Sequence, residues 1–502
     1  MPEATTQPIP ALLDLEKAID EFRRRVKVLI DPQSEPDWDG VKLKSREWAI
    51  YLEALRLAGQ CIAILIFRLV MEESVQMAAQ GRCLGQAGLH YSCEGFREVP
   101  ITLIGGVEVR VLTQYKLARK AREGSGRKKK QGKRGKSEGQ GFYPVLNLLG
   151  IRERTTPLVR CYVSQAATQA SSFEQARPMV SWLGLDFSQS RIRRISEAFC
   201  QVGLAIRAKQ VAYWGTGKLP DGVALKGKRV ALAVDGGRIN IRQTQRLGRK
   251  RKSGWPGYKT DWKEPKLLII YILDEEGHKV SRTGIPLAAD GTLAGLEEFM
   301  QILEMHLRQL GVAQAESIVL LGDGAKWIWN NVPALLQKLG CRPEQITQIL
   351  DNCHAIQHLY TVGEALFGST TGHTWAKKWV RKLKKGEATL LVNEIKRCLD
   401  DKKTKDPKTG QTEYLFFLNH LENGRLDYPY FKEQKLPIGS GVIESLIRQV
   451  VNIRLKSCSK AWLEENAEAF LHARCQWAVN KWSDFCDSIL TFGLAPRSPA
   501  KL

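Results

Sequence analysis

The sequence predicts a mixed α/β domain in the second half of the chain, preceded by a mainly helical first half. In the first half, apolar residues three and four apart indicate helices over 11–30 and 45–80. From Arg229 onward, apolar runs alternate with amphipathic segments in the order strand, strand, strand, helix, strand, helix, strand. Residues 355–436 then break this rhythm with helical, basic segments. A separate helical segment is therefore expected there.

A chain of 502 residues is too long for one hydrophobic core, so several domains are expected. Composition and periodicity place the boundaries as follows: 1–115, helical with a small β-hairpin that turns at Gly105 and Gly106; 116–150, a basic linker; 151–215, a three-helix segment; 228–354 with 437–483, the α/β domain; 355–436, the helical insertion; and 484–502, a tail.

The formal net charge of +23 favours a polyanionic partner, for which nucleic acid is the commonest choice. Eleven of the residues from Lys116 to Lys136 are Lys or Arg, a run typical either of a solvated linker or of a loop that DNA orders. The chain holds no run of 18 apolar residues, its first residues lack a signal-peptide pattern, and its cysteines are scattered. We therefore expect a cytoplasmic protein without a transmembrane helix.

Residues 155–208 are typical of three short helices, with Gly184 ending the second and Ser188 capping the third. The third presents Arg191, Arg193 and Arg194, as the recognition helix of a helix-turn-helix does. Three-helix units that do not touch DNA share this pattern, so both interpretations stay open at this point.

Two apolar strands end in Asp followed by Gly, in AVDGG at Asp235 and in LLGDGA at Asp323. The carboxyl end of a strand is where ligands collect in an open α/β sheet. A third acid, Glu444, follows GSG at the start of what is expected to be a long helix with an apolar stripe. Three converging carboxylates repel unless cations lie between them, and two Mg²⁺ ions roughly 3.5–4 Å apart are the usual solution.

Other acids and histidines have plainer interpretations. Asp274 to Glu276 precede Gly277 and indicate a hairpin turn. Asp290 with Gly291 is typical of a helix cap. His354 is either a core histidine or a group of the site, and its position where an apolar strand ends favours the second. A zinc site at Cys353, His354 and His358 is disfavoured because three ligands within six residues lack a partner pair.

The phrases LLGDGAKWIWNNV, QILDNCHAIQHL and GSGVIESLIRQVVNIRLKSCSKAW occur in order over about residues 229–483. They resemble bacterial insertion-sequence transposases of the aspartate-aspartate-glutamate type, relatives of the Mutator-like and hAT-like enzymes. In their ribonuclease-H-like fold the first acid sits on the first strand, the second just after the fourth, and the last on a later helix. Asp235, Asp323 and Glu444 match these places, and Asp351-x-x-His354 resembles the Cys/Asp-x-x-His signature.

The resemblance implies an α/β ribonuclease-H-like catalytic domain with an all-helical insertion, preceded by a mainly helical half that includes a helix-turn-helix-like DNA-binding domain. It implies Asp235, Asp323 and Glu444 as ligands of Mg²⁺ or Mn²⁺ and catalytic residues together with His354, while Asp351 supports the pocket or positions flanking nucleotides. The residues expected to contact DNA are Arg191, Arg193, Arg194, Arg246, Arg249, Lys250, Arg251, Lys252, Trp255 and Arg448.

The implied function is metal-dependent cleavage at the ends of a mobile element followed by strand transfer into target DNA. The expected partners are those DNAs and further copies of the chain, as a homodimer or higher oligomer on DNA, in a nucleoid-associated cytoplasmic location without a membrane. Three alternatives remain open from the sequence: a structure-selective DNA nuclease, a non-catalytic DNA-binding protein derived from a transposase, and a basic scaffold protein with coincidental acids.

Overall fold

A computed structural model describes residues 14–34, 37–84, 89–120, 141–245, 249, 252, 254, 256–280, 288–401, 404–456 and 460–492. The chain divides into two compact units. The N-terminal unit consists of Met1–Ile206 together with Trp482–Leu502, and the second unit consists of Arg207–Lys481.

The N-terminal unit begins with three helices: α1 (Leu15–Leu29), α2 (Gly40–Met71) and α3 (Glu73–Leu84). The carboxylates of Asp14 and Asp39 accept hydrogen bonds from backbone N–H groups in the first turns of α1 and α2, as N-caps do. The helix predicted over 45–80 is thus two helices, because Glu72 adopts an extended backbone between them.

An antiparallel hairpin follows, made of β1 (Leu89–Thr102) and β2 (Glu108–Lys120). Gly105 and Gly106 turn the chain with positive φ, as predicted. A Cβ on Gly59 of α2 would lie 2.3 Å from the carbonyl oxygen of Ile104, so α2 requires glycine where it meets this turn. Because β2 runs to Lys120, the start of the predicted basic linker is strand; residues 121–140 lie outside the described residues.

Helix α2 is long and apolar enough to cross a membrane by length and composition alone, although 33% of its most apolar window is buried inside the protein. Its buried side chains, among them Ala63, Ile66 and Val70, join one core with Ile101 and Val109 of the hairpin. A helix that packs in a protein core passes the same test, so this single helix is weak evidence for a membrane span.

Four more helices and the returning chain complete this unit: α4 (Pro144–Leu148), α5 (Pro157–Gln169), α6 (Phe173–Ser181), α7 (Gln189–Gly215) and α17 (Trp482–Phe492). The Ser188 hydroxyl accepts a hydrogen bond from the Arg191 N–H at 3.3 Å, which confirms the predicted cap. The third predicted helix is long rather than short, with 27 residues. The predicted tail begins with a helix, because Trp482, Phe485 and Ile489 bury an apolar face.

A five-stranded mixed sheet forms the centre of the second unit, with the strand order β7-β6-β3-β8-β9. Its middle strand β3 pairs parallel with β8 and antiparallel with β6, and β9 continues the parallel side. The strands are β3 (Arg229–Gly236), β6 (Lys266–Leu273), β7 (Ala288–Thr292), β8 (Ser317–Gly322) and β9 (Ile346–Leu350). The predicted mixed α/β class is confirmed.

The third strand of this sheet is β7, which comprises Ala288–Thr292. The run HKVSRTGIPLA at 278–288 predicts a strand just before it, and residues 281–287 of that run lie outside the described residues. Asp290 is therefore a strand residue, fully buried, and not a helix cap. The hairpin turn expected at Asp274–Glu276 is present, and Gly277 adopts φ +79° there.

Helices cover the sheet, and a small hairpin extends from β3. The hairpin pairs β4 (Ile239–Arg242) with β5 (Thr260–Lys263). The covering helices are α8 (Leu296–Leu310), α9 (Lys326–Lys338), α15 (Gly441–Ile447) and α16 (Glu464–Ala478). Helix α15 packs against β3 and β6, and α16 packs against β7. Instead of one long helix after GSG, seven α-helical residues lead into a π-helical segment, Arg448–Asn452.

The predicted helical insertion is present as five helices: α10 (Asn352–Phe367), α11 (Ser369–Leu383), α12 (Ala388–Asp400), α13 (Pro407–Glu422) and α14 (Tyr428–Glu433). Its end is held at β9, because the Tyr428 hydroxyl donates to the carbonyl of Leu350 at 3.1 Å. The Asn352 N–H donates to the carbonyl of Ile438 at 3.0 Å. The insertion thus leaves and rejoins the sheet at the same strand end.

Candidate functional site

Three aspartates lie where three neighbouring parallel strands end. Val234 of β3, Gly322 of β8 and Leu350 of β9 are in register with one another. The next residue of each strand or connection is Asp235, Asp323 or Asp351. Because the three strands run parallel, all three carboxylates belong to one edge of the sheet, where ligands collect in folds of this class.

Local backbone geometry fixes the first two carboxylates. Asp235 accepts a hydrogen bond from the Gly236 N–H at 2.6 Å, and Asp323 accepts one from the Ala325 N–H at 2.9 Å. Gly324 adopts φ +97°, a conformation that an L-residue rarely takes, and this lets the chain turn sharply after Asp323. Both aspartates are half-buried.

Asp351 is fully buried and caps helix α10, since its carboxylate accepts from the Cys353 N–H at 2.9 Å. Its second oxygen receives the Ser440 hydroxyl and lies 2.8 Å from Nδ1 of His354. Burial raises the pKa of Asp351, but the hydrogen bonds from His354, Ser440 and Cys353 outweigh it and lower the pKa below the ordinary value. Asp351 is therefore an ionised group that orients its neighbours.

His354 lies in the first turn of α10 with a quarter of its side chain exposed. Its hydrogen bond to Asp351 raises the pKa of the imidazole, the negative charges of Asp351, Asp235 and Asp323 act in the same direction, and burial opposes them. An Nδ1–H that donates to Asp351 fixes the ring's orientation, so this histidine resembles a positioned acid–base group more than a core residue.

Asp235 is the most perturbed acid at this edge. Burial raises its pKa to about 6; the neighbouring charges of Asp323 and Asp351 add to the effect, while the Gly236 hydrogen bond and the charge of His354 oppose it. Burial is the main cause of the raised pKa, and the like charges of Asp323 and Asp351 only add to it. A cation bound beside Asp235 would stabilise its ionised form.

Glu444 joins the cluster from helix α15 through Ser440. The buried Ser440 hydroxyl lies 3.3 Å from the Glu444 carboxylate and also donates to Asp351. One ligand atom each from Asp351, Cys353 and Glu444 lies within 4.8 Å of the others. Asp235, Asp323 and Asp351 act on one another and on His354 through their charges, whereas Glu444 is joined to Asp351 through Ser440. Among the described residues, the group with metal-ligand spacing contains Glu444 with Asp351 and Cys353, and not with the predicted Asp235 and Asp323.

The donor set fits a hard divalent cation. Asp235, Asp323, Asp351 and Glu444 offer carboxylate oxygens, which Mg²⁺ and Mn²⁺ prefer. Burial and, after it, the charges of Asp323 and Asp351 raise the pKa of Asp235 at the same place. Of these residues, Asp235, Asp323 and Glu444 retain the exposure that a ligand needs, while both oxygens of Asp351 already accept hydrogen bonds.

The arginines predicted on the third helix differ from one another in the N-terminal unit. Arg191 donates to the Thr102 hydroxyl at 2.8 Å and lies over the Phe187 ring at 3.9 Å, so it packs against the end of β1. Arg193 pairs with Glu197 of its own helix at 2.8 Å and stays about half exposed. Arg194 is exposed. Arg193 and Arg194 are therefore presented to solvent, whereas Arg191 has a structural partner.

The remaining predicted DNA contacts belong to the second unit. Arg249 and Lys252, on the connection between β4 and β5, are exposed, and Arg448 is exposed one helical turn after Glu444. On the same connection, Arg242 stacks over the Tyr258 ring at 4.1 Å. The other four predicted contacts lie outside the described residues: Arg246, Lys250, Arg251 and Trp255.

Sequence reasoning missed Ser440, which bridges two acids of the site. The available signal was its place directly before the helix that carries Glu444, where a serine commonly acts as an N-cap. Here its hydroxyl contacts Asp351 and Glu444 instead. Comparison of the chain with models of known protein families and with curated proteins gave no match in either case.

Proposed function

We propose that the protein is a DNA transposase of the aspartate-aspartate-glutamate type with a ribonuclease-H-like catalytic domain. The observation that carries the proposal is the group of acids at one edge of the sheet: Asp235 lies within the electrostatic influence of Asp323, Asp351 and His354. His354 is hydrogen-bonded to Asp351, and Ser440 joins Asp351 to Glu444. Numbered along the chain, the central strands carry Asp235 on the first and Asp323 after the fourth, and Glu444 follows on a later helix. This is the order that the resemblance implies.

Asp235, Asp323 and Glu444 would hold the divalent cations. Bound there, Mg²⁺ or Mn²⁺ supplies charge neutralisation of the scissile phosphate and lowers the pKa of a bound water. Asp351, which stays ionised, holds the Nδ1–H of His354 and leaves the opposite ring nitrogen to the substrate. His354 would therefore transfer a proton to or from an attacking or leaving oxygen, or contact a flanking phosphate.

Ser440 and Arg448 complete the proposed roles. The Ser440 hydroxyl contacts the carboxylates of both Glu444 and Asp351. It would therefore hold these two acids, which belong to different parts of the fold, at a fixed separation. Arg448 is exposed and follows Glu444 by one helical turn, where it would pair with a DNA phosphate. No nucleophilic side chain is needed, because a freed 3′-hydroxyl attacks target DNA in the second step.

DNA is the proposed partner, and the charge of +23 supports it. Exposed Arg193, Arg194, Arg249 and Lys252 supply cations on both units. Non-specific affinity should then fall steeply as salt rises, because each neutralised phosphate releases counterions. A nucleoid-associated location and an oligomer assembled on DNA follow as parts of the same proposal.

The direct test uses the purified chain and labelled DNA from the gene's own flanks, including any short inverted repeats found there. We expect 3′-end cleavage and joining to a second DNA in Mg²⁺ or Mn²⁺, and binding without cleavage in Ca²⁺. Cleavage of branched DNA without joining would identify a structure-selective nuclease instead. Binding without cleavage in every metal would identify a non-catalytic DNA-binding protein, and cleavage in excess chelator would remove the metal from the mechanism.

A further inference from the structure

Two glycines flank Asp323, and each lies against an aromatic ring. A Cβ on Gly322 would lie 3.1 Å from Cζ2 of Trp329, and a Cβ on Gly324 would lie 2.5 Å from Cε2 of Phe416. The first ring belongs to α9, directly after the turn, whereas the second belongs to α13 of the helical insertion. The turn that carries Asp323 therefore packs against both the α/β domain and the insertion.

The approach of the second ring requires glycine at position 324. Gly324 has a φ of +97°, and the Ala325 N–H closes the turn on the Asp323 carboxylate at 2.9 Å. Cε2 and Cζ of Phe416 lie 2.5 and 2.8 Å from the place of a Cβ, so the far edge of the ring meets the backbone. Because Phe416 fills that space, the turn has no room to move toward α13.

Phe416 is itself held by other rings. Its face stacks on His358 of α10 at 3.8 Å, and it meets the ring of His420 at 4.6 Å. His420 also meets Trp329, edge to face, at 5.6 Å. Burial lowers the pKa of His420 to about 3, and the charges of Arg425 and His358 act in the same direction, so this imidazole packs as a neutral ring. His420 thus links the two rings that contact the turn.

Phe416 differs from the phenylalanine beside it. Phe417 is fully buried, whereas Phe416 is only half-buried. Among the described residues, the atoms nearest to a Cβ on Gly324 belong to Phe416 and Leu350. Phe417 is therefore the better core residue of α13, and Phe416 is the one that contacts the turn after β8.

We propose that Phe416 is a positioning residue for Asp323: through this ring, the helical insertion fixes the turn after β8 and holds the Asp323 carboxylate where it binds a divalent cation. The inference rests on the proposed function, in which Asp323 is a ligand of Mg²⁺ or Mn²⁺. A group that orients a metal ligand without touching the metal commonly contributes roughly 10–100-fold to metal affinity. The insertion is then a part of the metal site.

The experiment measures Mn²⁺ binding to the full-length protein from the paramagnetic resonance signal of free Mn²⁺. Phe416→Leu keeps an apolar side chain but lacks the two atoms nearest to Gly324, so we expect its Mn²⁺ affinity to fall by roughly 10–100-fold. Circular dichroism and the melting temperature check that the variant is folded.

Phe417→Leu is the matched control, because it makes the same change one residue later. It should lower the melting temperature at least as far as Phe416→Leu, since Phe417 is the more buried of the two, and leave the Mn²⁺ affinity of the folded protein unchanged. His358→Ala uncovers a face of the Phe416 ring but leaves the edge that meets Gly324, so it too should keep the wild-type affinity.

A second measurement follows the turn without any metal. In chelator, hydrogen exchange of the peptide that contains Asp323 and Ala325 should be faster in Phe416→Leu than in the wild type, because the Ala325 N–H loses its fixed acceptor. Phe417→Leu should exchange like the wild type in this peptide. Unchanged exchange in Phe416→Leu would show that the ring does not hold the turn and would overturn the inference.

The remaining outcomes separate this inference from the proposed function. Wild-type binding of Mn²⁺ together with an unchanged affinity in Phe416→Leu would overturn the positioning role alone. Equal losses of affinity in Phe416→Leu and Phe417→Leu would also overturn it, because Phe416 would then act only through the stability of α13. A wild-type protein that bound no Mn²⁺ would overturn the proposed metal site and this inference with it.

Discussion

The second unit contains two clusters of buried or half-buried acid, and they differ in what surrounds the carboxylate. At the sheet edge, Asp235 has Asp323 and Asp351 as neighbours, and its pKa rises to about 6. On β7, Asp290 accepts from Arg207 at 2.9 Å and lies 3.0 Å from His472 and 3.1 Å from His306. One cluster has negative charge in excess, and the other has cations of its own.

The pKa of Asp290 reflects the cationic groups that surround its carboxylate. Burial opposes ionisation, yet the charges of His472 and Arg207 and the hydrogen bonds from His306 and His472 hold the pKa of Asp290 well below its usual range. Arg207 also binds Glu468 at 2.5 Å, so the network joins β7 to α16. A carboxylate with cations of its own holds the fold together, whereas Asp235, which has acidic neighbours, is one of the residues proposed to hold a cation.

The largest effect is expected when the acids of the sheet edge are removed. Asp235→Ala, Asp323→Ala and Glu444→Ala should each lower DNA cleavage by roughly 10⁴-fold or more, because the carboxylates act as one unit. DNA binding, measured by gel shift in Ca²⁺, should stay unchanged. A double variant should lose little beyond a single one. A variant that retained activity near that of the wild type would take its residue out of the site.

The satisfied cluster should respond in the opposite way. Asp290→Ala leaves Arg207 buried without its carboxylate, so we expect the free energy of unfolding to fall by about 3–5 kcal/mol. Urea unfolding followed by circular dichroism measures this loss. Variant protein that remains folded at low temperature should still bind divalent cations at the sheet edge. A normal unfolding midpoint combined with lost cation binding would assign Asp290 to the site instead.

These two clusters also mark what the sequence could and could not predict. Asp235 and Asp323 each end an apolar strand, and strand ends of one sheet meet, so local pattern was sufficient for them. Asp290 precedes Gly291 in the same way, but its partners lie 83 residues earlier, at Arg207, and 182 residues later, at His472. No local pattern encodes such pairing, so the aspartate was assigned to a helix cap.

A third test sharpens the distinction within helix α10. His354→Ala should slow cleavage by roughly 10²-fold, as for a positioned acid–base group, and shift the melting temperature by no more than about 2 °C. His358 is its matched control on the same helix. Its Nδ1 lies 2.7 Å from Glu413, and its ring stacks on Phe416 at 3.8 Å, which ties α10 to α13. His358→Ala should therefore melt early and keep its activity per folded molecule, and the reverse pattern would exchange the two roles.

The smallest expected effect concerns the pH dependence of stability without metal. Because the folded-state pKa of Asp235 is about 6 against an ordinary value of 3.8, the native protein binds the extra proton between these pH values. Stability from this group is thus present at low pH and is lost as pH rises from about 4 to about 7. The side chain of Asp235→Asn cannot ionise. In chelator, the variant's advantage over the wild type in free energy of unfolding should therefore be larger at pH 8 than at pH 5 by about 1–2 kcal/mol, or about 2–6 °C in melting temperature. Mg²⁺ should remove this difference in stability, because it stabilises only the wild type. If the difference changed neither with pH nor with Mg²⁺, Asp235 would belong with Asp290 among the acids that the protein itself neutralises.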